Sequence, residues 1–264
     1  MILPDCHMHT SFSTDSDAPV RSMIDRACEA GMSSICITDH HDIGFPGEGF
    51  ILDVDRYFRE LKALQEEYSG RIRLRVGIEL GLKAGEEDRI RACAAGYDFD
   101  YIIGSIHLVE NKDPYERGLF DMSDGELYEL YFRTAMENLE RCSGFQAFGH
   151  LDYIVRYGYQ KEKEYSYAKY ADLIDGILIH LIDRGIALEV NTGGLRCGLG
   201  FPNPHPDVLK RYRELGGELI TIGSDAHTPD YIGYMFPQVC DLLRECGFRY
   251  VTEFINKNPN NTPL

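Results

Sequence analysis

The feature that most constrains the fold of this chain is a repeated alternation of short apolar runs with helical stretches. The candidate strands are residues 3–6, 34–38, 74–78, 101–105, 146–149, 186–190 and 219–223. Fully apolar runs of this length are typical of parallel strands that are buried on both faces. A further run at 250–254 is either an eighth strand or a closing edge.

Segments with helical spacing of apolar residues connect these runs. Apolar side chains recur three or four residues apart within 54–68, 127–139 and 173–182, which predicts amphipathic helices. Ser123 followed by Glu126 is typical of a capping box at a helix start. Alternating strands and helices predict a parallel sheet covered by helices. Seven such units without a dinucleotide-binding fingerprint favour an α/β barrel over an open, doubly wound sheet.

The length of 264 residues is compatible with one large domain or two small ones. No linker, internal repeat or low-complexity tract divides the sequence, so we expect a single domain over residues 1–264. The first seven residues, MILPDCH, carry no basic region or long apolar stretch, so we expect no signal peptide. The eight cysteines lack Cys-x-x-Cys spacing, which favours free thiols in a reducing compartment.

The balance of charges also limits the partners of this protein. Lysine and arginine number 27 against 43 acidic residues, which gives a net charge of −16. Such a surface repels the phosphate backbone of nucleic acids. No apolar run approaches the roughly 20 residues that a membrane-spanning helix needs. We therefore expect a cytoplasmic monomer or small homo-oligomer that binds a small molecule and neither nucleic acid nor membrane.

Polar and ionisable residues follow the predicted strands at the point where each strand ends. In chain order they are His7, His9, Asp39, His40, His41, Asp42, Glu79, His107, His150, Asp152, Asn191, Asp225 and His227. The carboxyl ends of barrel strands meet on one face, where active sites are built. Capping or a buried hydrogen bond would explain one such residue, but the whole series indicates a functional site.

The chemistry of this series is that of a metal site, because imidazole and carboxylate groups bind Zn²⁺, Mn²⁺ and Fe²⁺. His7 and His9 lie two residues apart, so on an extended segment they point the same way and can share one ion. The series has more donors than one four-coordinate ion uses, which predicts two or three divalent ions bridged by a carboxylate. Ions about 3.5–4 Å apart bind phosphoryl oxygens and activate water, so the pattern indicates phosphate-ester hydrolysis.

Seven segments resemble the polymerase-and-histidinol-phosphatase (PHP) superfamily, and within it the histidinol-phosphatase branch. They are D-C-H-M-H-T-S-F-S-T-D (5–15), I-T-D-H-H-D (37–42), V-G-I-E (76–79), I-G-S-I-H (103–107), F-G-H-L-D (148–152), E-V-N-T-G-G-L-R (189–196) and G-S-D-A-H (223–227). They run in order from residue 5 to residue 227 and cover most of the chain. The resemblance implies a distorted, TIM-like (β/α)7 barrel with its metal site at the carboxyl ends of the strands.

The resemblance also implies a trinuclear metal site made of nine residues. One ion would be bound by His7, His9, Glu79 and Asp225, a second by Glu79, His107 and His150, and a third by Asp15, His40 and His227. Many family members have histidine where this chain has Asp15, whereas the histidinol-phosphatase branch often has aspartate. The oxygen-rich third position favours Mn²⁺ or Fe²⁺ over Zn²⁺. Asp15 also lies in a sequence typical of a helix start.

The activity implied by the resemblance is hydrolysis of L-histidinol phosphate to L-histidinol and phosphate, in histidine biosynthesis, by attack of a metal-bound hydroxide. His41 is the candidate proton donor to the leaving alkoxide, although it is equally well explained as a neighbour of His40. Arg156 and Arg196 follow predicted strand ends. We expect both to bind the phosphate and stabilise its charge, because a guanidinium grips two phosphoryl oxygens at once. Surface salt bridges are the alternative for these arginines.

Other residues are candidates for supporting roles. Glu116 and Arg117 lie in the loop after His107 and would face the amine and imidazole of the substrate. Metal-bound imidazoles usually need a group that orients them, and Asp5, Asp39 and Asp152 are placed to do this.

Two other functions are compatible with the sequence. The same scaffold could hydrolyse another small phosphomonoester or a nucleotide. It could also be a non-catalytic PHP module that stabilises or regulates a polymerase, but the complete series of candidate ligands argues against that function.

Overall fold

The structure is a computed structural model that describes residues 3–264. Met1 and Ile2, which are part of the stretch that argues against a signal peptide, lie outside the described residues. The strands are β1 (Ser34–Ile37), β2 (His40–His41), β3 (Arg73–Gly81), β4 (Tyr101–Ser105), β5 (Ala147–Phe148), β6 (Ala187–Asn191), β7 (Ile220–Gly223), β8 (Tyr250–Ile255) and β9 (Asn258–Pro263). The α-helices are α1 (Val20–Glu29), α2 (Val54–Glu67), α3 (Glu87–Gly96), α4 (Asp124–Arg141), α5 (Ala171–Arg184), α6 (Gly193–Arg196), α7 (Pro206–Glu214) and α8 (Phe236–Glu245).

Seven strands form one parallel sheet in the order β1-β3-β4-β5-β6-β7, with β2 also paired to β3. The helices surround this curled sheet, and the fold is the predicted distorted, TIM-like (β/α)7 barrel. Because every strand of the sheet is parallel, all their carboxyl ends open onto the same face.

The predicted first strand, residues 3–6, is wrong as a regular strand. Asp5 and Met8 form only isolated bridges, to Ile35 and Ala226 respectively. The segment nevertheless fills the gap between β1 and β7, since the N–H of Cys6 donates to Ile222 and Asp5 accepts from Cys36. Each neighbour contributes only one bridge, which is too few for a continuous ladder. The seventh strand of the sheet is instead the two-residue β2.

The last strands lie outside the barrel sheet. β8 pairs with β9 as an antiparallel hairpin, so the run at 250–254 is not an eighth barrel strand. Phe254 stacks on Tyr101 at 5.5 Å between ring centroids. Tyr101 begins β4, and the hairpin therefore covers the amino ends of the strands, opposite the candidate site.

The helices bury the apolar faces that their spacing predicts. In α4 the buried side chains include Leu127, Tyr131, Ala135 and Leu139, and the Ser123 capping box is present at its start.

All eight cysteines are free thiols. Within residues 3–264, no helix has the length and apolar character that crossing a membrane requires.

Candidate metal centre

One carboxylate, that of Glu79, lies at the centre of the polar residues on the open face. Glu79 is on the long strand β3 and is fully buried. Its Oε1 lies 2.9 Å from Nε2 of His150 and 3.3 Å from Nε2 of His107. Its Oε2 lies 3.2 Å from Nε2 of His7 and 2.8 Å from Nδ1 of His40. Each oxygen of Glu79 therefore faces its own set of imidazoles.

On the Oε2 side, the His-x-His pair converges with a second carboxylate. The Nε2 atoms of His7 and His9 are 3.0 Å apart. Oδ1 of Asp225 lies 3.3 Å from Nε2 of His9 and 3.9 Å from Nε2 of His7. The two imidazoles point the same way, as their spacing predicts, and the loop after β7 brings Asp225 to them.

Asp15 completes a third group nearer to solvent. Its Oδ2 lies 3.0 Å from Nε2 of His227 and 3.6 Å from Nε2 of His40. The ring of His9 stacks against both histidines, with centroid distances of 4.1 Å to His40 and 4.3 Å to His227. The Asp15 side chain keeps 39% exposure. All nine residues of the expected ligand set are thus gathered at one place.

The donor atoms of this cluster fit divalent metal ions. Several combinations of three residues place their donor atoms within 4.8 Å of one another, including His7, His9 and Glu79, and Glu79, His107 and His150. Oε2 of Glu79 and Nδ1 of His40 are buried and have no hydrogen-bond partner among residues 3–264, although they are only 2.8 Å apart. Buried polar atoms without a well-aligned hydrogen bond are costly, and a shared cation would satisfy both the carboxylate oxygen and the imidazole nitrogen.

The charges of the cluster also favour a cation. Burial raises the pKa of Glu79, but the His7, His40 and His107 imidazoles outweigh it and hold the pKa well below its usual value. Burial lowers the pKa of His9 well below its usual value, and His40 and the other neighbouring imidazoles add to this shift. Glu79 therefore supplies negative charge and His9 a neutral imidazole. Against the effect of burial, Glu79 and neighbouring carboxylates raise the pKa of His7, His40 and His107, so these imidazoles release protons when an ion binds.

Four of the imidazoles are oriented by a contact at Nδ1, and Nε2 faces the cluster in each. Nδ1 of His7 lies 2.6 Å from Oε1 of Glu189, and Nδ1 of His107 lies 2.7 Å from Oδ2 of Asp42. Nδ1 of His227 lies 3.0 Å from the Asp225 carbonyl oxygen. Nδ1 of His9 lies 3.2 Å from Oγ of Ser13. With Nδ1 as the donor, Nε2 carries the lone pair that a metal needs.

The sequence and the fold of the chain are both similar to those of known proteins. The family model described as "PHP domain" matches residues 5–193. A probable histidinol-phosphatase of Clostridium acetobutylicum is 36% identical over 249 residues, which cover 94% of this chain and 95% of that protein. The chain belongs to the PHP domain family. A histidinol-phosphatase of Lactococcus lactis is 30% identical over 265 residues, covering 96% of each protein.

A solved structure matches this chain over nearly its whole length. It is the histidinol phosphate phosphatase of Lactococcus lactis in complex with zinc, L-histidinol and phosphate. The TM-score is 0.89 at 28% sequence identity, with 98% of this chain and 99% of that chain covered.

Both candidate phosphate-binding arginines lie beside the cluster of the PHP domain. Nη1 of Arg196 donates to the backbone carbonyl of Asp225 at 2.8 Å, and its guanidinium lies over the Tyr231 ring at 5.1 Å. Nη1 of Arg156 lies 3.9 Å from Oδ2 of Asp225, and its guanidinium lies over the Tyr153 ring at 4.5 Å. Among the described residues, neither arginine forms the surface salt bridge that was the alternative.

Two expected orienting aspartates have other partners. Asp5 accepts backbone N–H groups of His7, Ser224 and Gly233 rather than an imidazole. Asp152 contacts the Asn203 side chain and the His205 backbone. Nδ1 of His150 is buried and has no hydrogen-bond partner among the described residues. The expectation that these aspartates orient metal-binding imidazoles is therefore wrong, because in the described part of the chain no hydrogen bond or ion pair joins either carboxylate to a proposed ligand imidazole.

Asp39 acts on the cluster indirectly. Its Oδ1 accepts a hydrogen bond from Oγ of Ser13 at 2.7 Å, and that same Oγ contacts Nδ1 of His9. Burial raises the pKa of the Asp39 carboxyl to about 6, against hydrogen bonds from Ser13 and Thr10 that lower it.

The placement of His41 does not fit the expected proton donor. His40 and His41 are adjacent on β2, so their side chains point to opposite faces. His40 reaches Glu79, whereas Nδ1 of His41 accepts the backbone N–H of Leu52 at 3.1 Å. His41 thus faces the segment before α2 and not the cluster.

The loop after His107 places its two candidates differently. Arg117 is buried, and its guanidinium bonds the carbonyl oxygens of Phe120 and Met122 and the carboxylate of Asp124. These contacts stabilise the loop, and they engage the guanidinium that was expected to bind the substrate. Glu116 is exposed, and its N–H donates to the Asp113 carbonyl.

The sequence patterns did not identify three supporting residues: Glu189, Ser105 and Asn203. Ser105 ends β4 and donates to Oε1 of Glu79 at 2.6 Å. Glu189 is the one acid in the fully buried strand β6, and a lone acid in an apolar run was the available signal. Asn203 lies in a loop, and nothing in its local sequence distinguishes it.

Proposed function

We propose that this PHP domain is a metal-dependent phosphomonoesterase that hydrolyses L-histidinol phosphate to L-histidinol and phosphate. The observation that carries the proposal is the position of Glu79, whose two oxygens each face a separate set of imidazoles. The match to a structure that holds zinc, L-histidinol and phosphate supports the same substrate.

The proposed ligands form three groups that share residues. His7, His9, Glu79 and Asp225 would bind one ion, with Glu79 bridging to a second at His107 and His150. Asp15, His40 and His227 would bind a third. The separation of the Glu79 oxygens between two sets of imidazoles supports the bridging role.

The proposed ions are two or three of Zn²⁺, Mn²⁺ and Fe²⁺. The zinc in the related structure supports Zn²⁺ for the histidine-rich positions. The Asp15 carboxylate is a hard oxygen ligand, and it therefore favours Mn²⁺ or Fe²⁺ at the third position.

Two arginines would hold the phosphate while the bond to the alkoxide breaks. Bound divalent ions would polarise the phosphoryl oxygens and lower the pKa of a water molecule. Arg156 and Arg196 both lie within reach of Asp225, so they border the proposed ions. Their guanidinium groups would orient the phosphoryl oxygens and stabilise the charge that develops on them. The exposed Glu116 is the candidate for the amine or imidazole of the substrate.

The proposal includes a single domain over residues 1–264 that acts in the cytoplasm as a monomer or small homo-oligomer. The net charge of −16 supports a protein that binds no nucleic acid.

A direct test is release of inorganic phosphate from L-histidinol phosphate by metal-reconstituted and metal-stripped protein. We expect rapid release only after reconstitution with Mn²⁺ or Zn²⁺. Equal rates in the presence and absence of metal would contradict a metal-dependent enzyme. No release under either condition would contradict the substrate.

A further inference from the structure

A chain of buried polar side chains runs from Arg156 into the protein interior behind the metal centre. Nη2 of Arg156 donates to Oδ1 of Asn203 at 3.2 Å, and Nδ2 of Asn203 donates to Oδ1 of Asp152 at 2.6 Å. Oδ2 of Asp152 accepts the backbone N–H of His205 at 2.8 Å. Asn203 and Asp152 have no exposed surface, so water does not compete for these bonds.

The buried carboxylate decides which way the Asn203 amide points. A carboxylate can only accept, so the NH₂ of Asn203 must face Asp152, and the amide oxygen must face Arg156. The opposite orientation would set an oxygen against the carboxylate and a donor against the guanidinium. Asp152 therefore turns Asn203 into a fixed acceptor for Arg156.

The backbone of Asn203 is held as firmly as its side chain. Its N–H donates to the carbonyl of Asn191 at 2.9 Å, and its carbonyl accepts from the N–H of Asn191 at 2.7 Å. Asn191 ends β6, which anchors the loop to the sheet. A Cβ at Gly194 would lie 2.7 Å from Oδ1 of Asn203, so the absent side chain leaves the space that this amide occupies.

Arg156 needs such a restraint because of its neighbour. Its Nη1 lies 3.9 Å from Oδ2 of Asp225, which we propose to bind metal. A released guanidinium could move onto this carboxylate and draw it from the ions. We infer that Asp152 and Asn203 are positioning residues that hold the Arg156 guanidinium ready for the phosphate of the substrate. The inference rests on the proposed function and explains how one phosphate-binding arginine is preorganised.

The side-chain chemistry suggests a reciprocal exchange as the test. In Asp152→Asn the new amide keeps its oxygen for the N–H of His205 and directs its NH₂ at Asn203. Asn203 must then turn, and a donor faces Arg156. In Asn203→Asp two carboxylates meet in a buried position. In the double variant, the amide at 152 donates to the carboxylate at 203, which again accepts from Arg156.

The experiment measures binding of inorganic phosphate to metal-loaded protein by calorimetry, with kcat, KM and metal content for each variant. We expect Asp152→Asn and Asn203→Ala to weaken phosphate binding roughly tenfold or more, as is typical when a charged group loses a hydrogen bond. Metal content should be unchanged. The double variant should bind phosphate more tightly than either Asp152→Asn or Asn203→Asp, because the two changes compensate each other.

A matched control is Asp100→Asn. This buried carboxylate accepts the N–H groups of Val76 and Asn256 near the opposite end of the barrel, and its loss should leave phosphate affinity unchanged. Wild-type phosphate affinity in Asp152→Asn and Asn203→Ala would overturn the inference, and so would simple addition of the two losses in the double variant. A wild-type protein that neither binds phosphate nor hydrolyses the ester would instead remove the proposed function itself.

Discussion

Oε1 of Glu189 lies 2.6 Å from Nδ1 of His7, while the other oxygen of the same carboxylate accepts the backbone N–H of His150 at 2.9 Å. His150 has a φ of +25°, in a region that residues other than glycine rarely adopt. One buried side chain on β6 therefore supports proposed ligands of two different ions. It fixes the ring of one and the strained backbone of the other.

The variant Glu189→Gln tests whether both contacts of this carboxylate are needed for metal binding. A glutamine has one acceptor oxygen, so it can serve His7 or His150 but not both. We expect metal affinity to fall roughly 10–100-fold, as is typical when a group that orients a metal-binding imidazole is lost. A metal titration measures this. Glu253→Gln, a buried carboxylate on β8 that bonds Ser34, is the control and should bind metal normally. Unchanged affinity in Glu189→Gln would remove the supporting role.

Glu79→Gln tests the bridging carboxylate. The amide keeps the shape of the side chain but replaces one metal-binding oxygen with an NH₂ group that cannot bind an ion. We expect kcat/KM to fall more than about a thousandfold, or about 4 kcal/mol of barrier. Elemental analysis should show less bound metal. Full metal content with a near wild-type rate would be incompatible with a multinuclear centre built on Glu79.

Arg196→Lys tests whether the guanidinium fork is needed. Arg196 uses Nη1 on the Asp225 carbonyl, and we propose that the rest of the guanidinium holds the phosphate. The ammonium group of lysine is a point charge and cannot form the two parallel hydrogen bonds of a guanidinium. We expect a loss of about 2–4 kcal/mol in kcat/KM for L-histidinol phosphate, typical of removing a preorganised donor, at unchanged metal content. Arg211→Lys, which alters an arginine paired with Asp175 on the outside of the barrel, is the matched control.

If Arg196→Lys hydrolysed the ester at the wild-type rate, Arg196 would have no part in holding the phosphate. The same rate loss in Arg211→Lys would show that the effect is general and not specific to the site.

The sequence was sufficient to predict the barrel and the cluster, because both depend on local signals. Apolar runs mark the strands, and the residues that follow them lie near the open face, so His107 and Asp225 could be expected there from sequence alone. The resemblance to PHP proteins then predicted which residues would meet at Glu79.

What the sequence could not supply were contacts between distant segments. Asp152 follows His150 closely in sequence, yet it bonds Asn203, 51 residues away. His41 is adjacent to His40, but the alternation of β2 sends it away from the cluster. Such pairings depend on the packing of whole elements, and no local pattern records them.

We propose that this protein acts on L-histidinol phosphate. The most direct test is kcat/KM of metal-reconstituted protein for this ester, beside nucleotides, other small phosphomonoesters and a phosphodiester. We expect a preference for L-histidinol phosphate of roughly a hundredfold or more, because a site built to bind polar groups rejects substrates that lack them. A nucleotide or another phosphomonoester with a higher kcat/KM would contradict the claim.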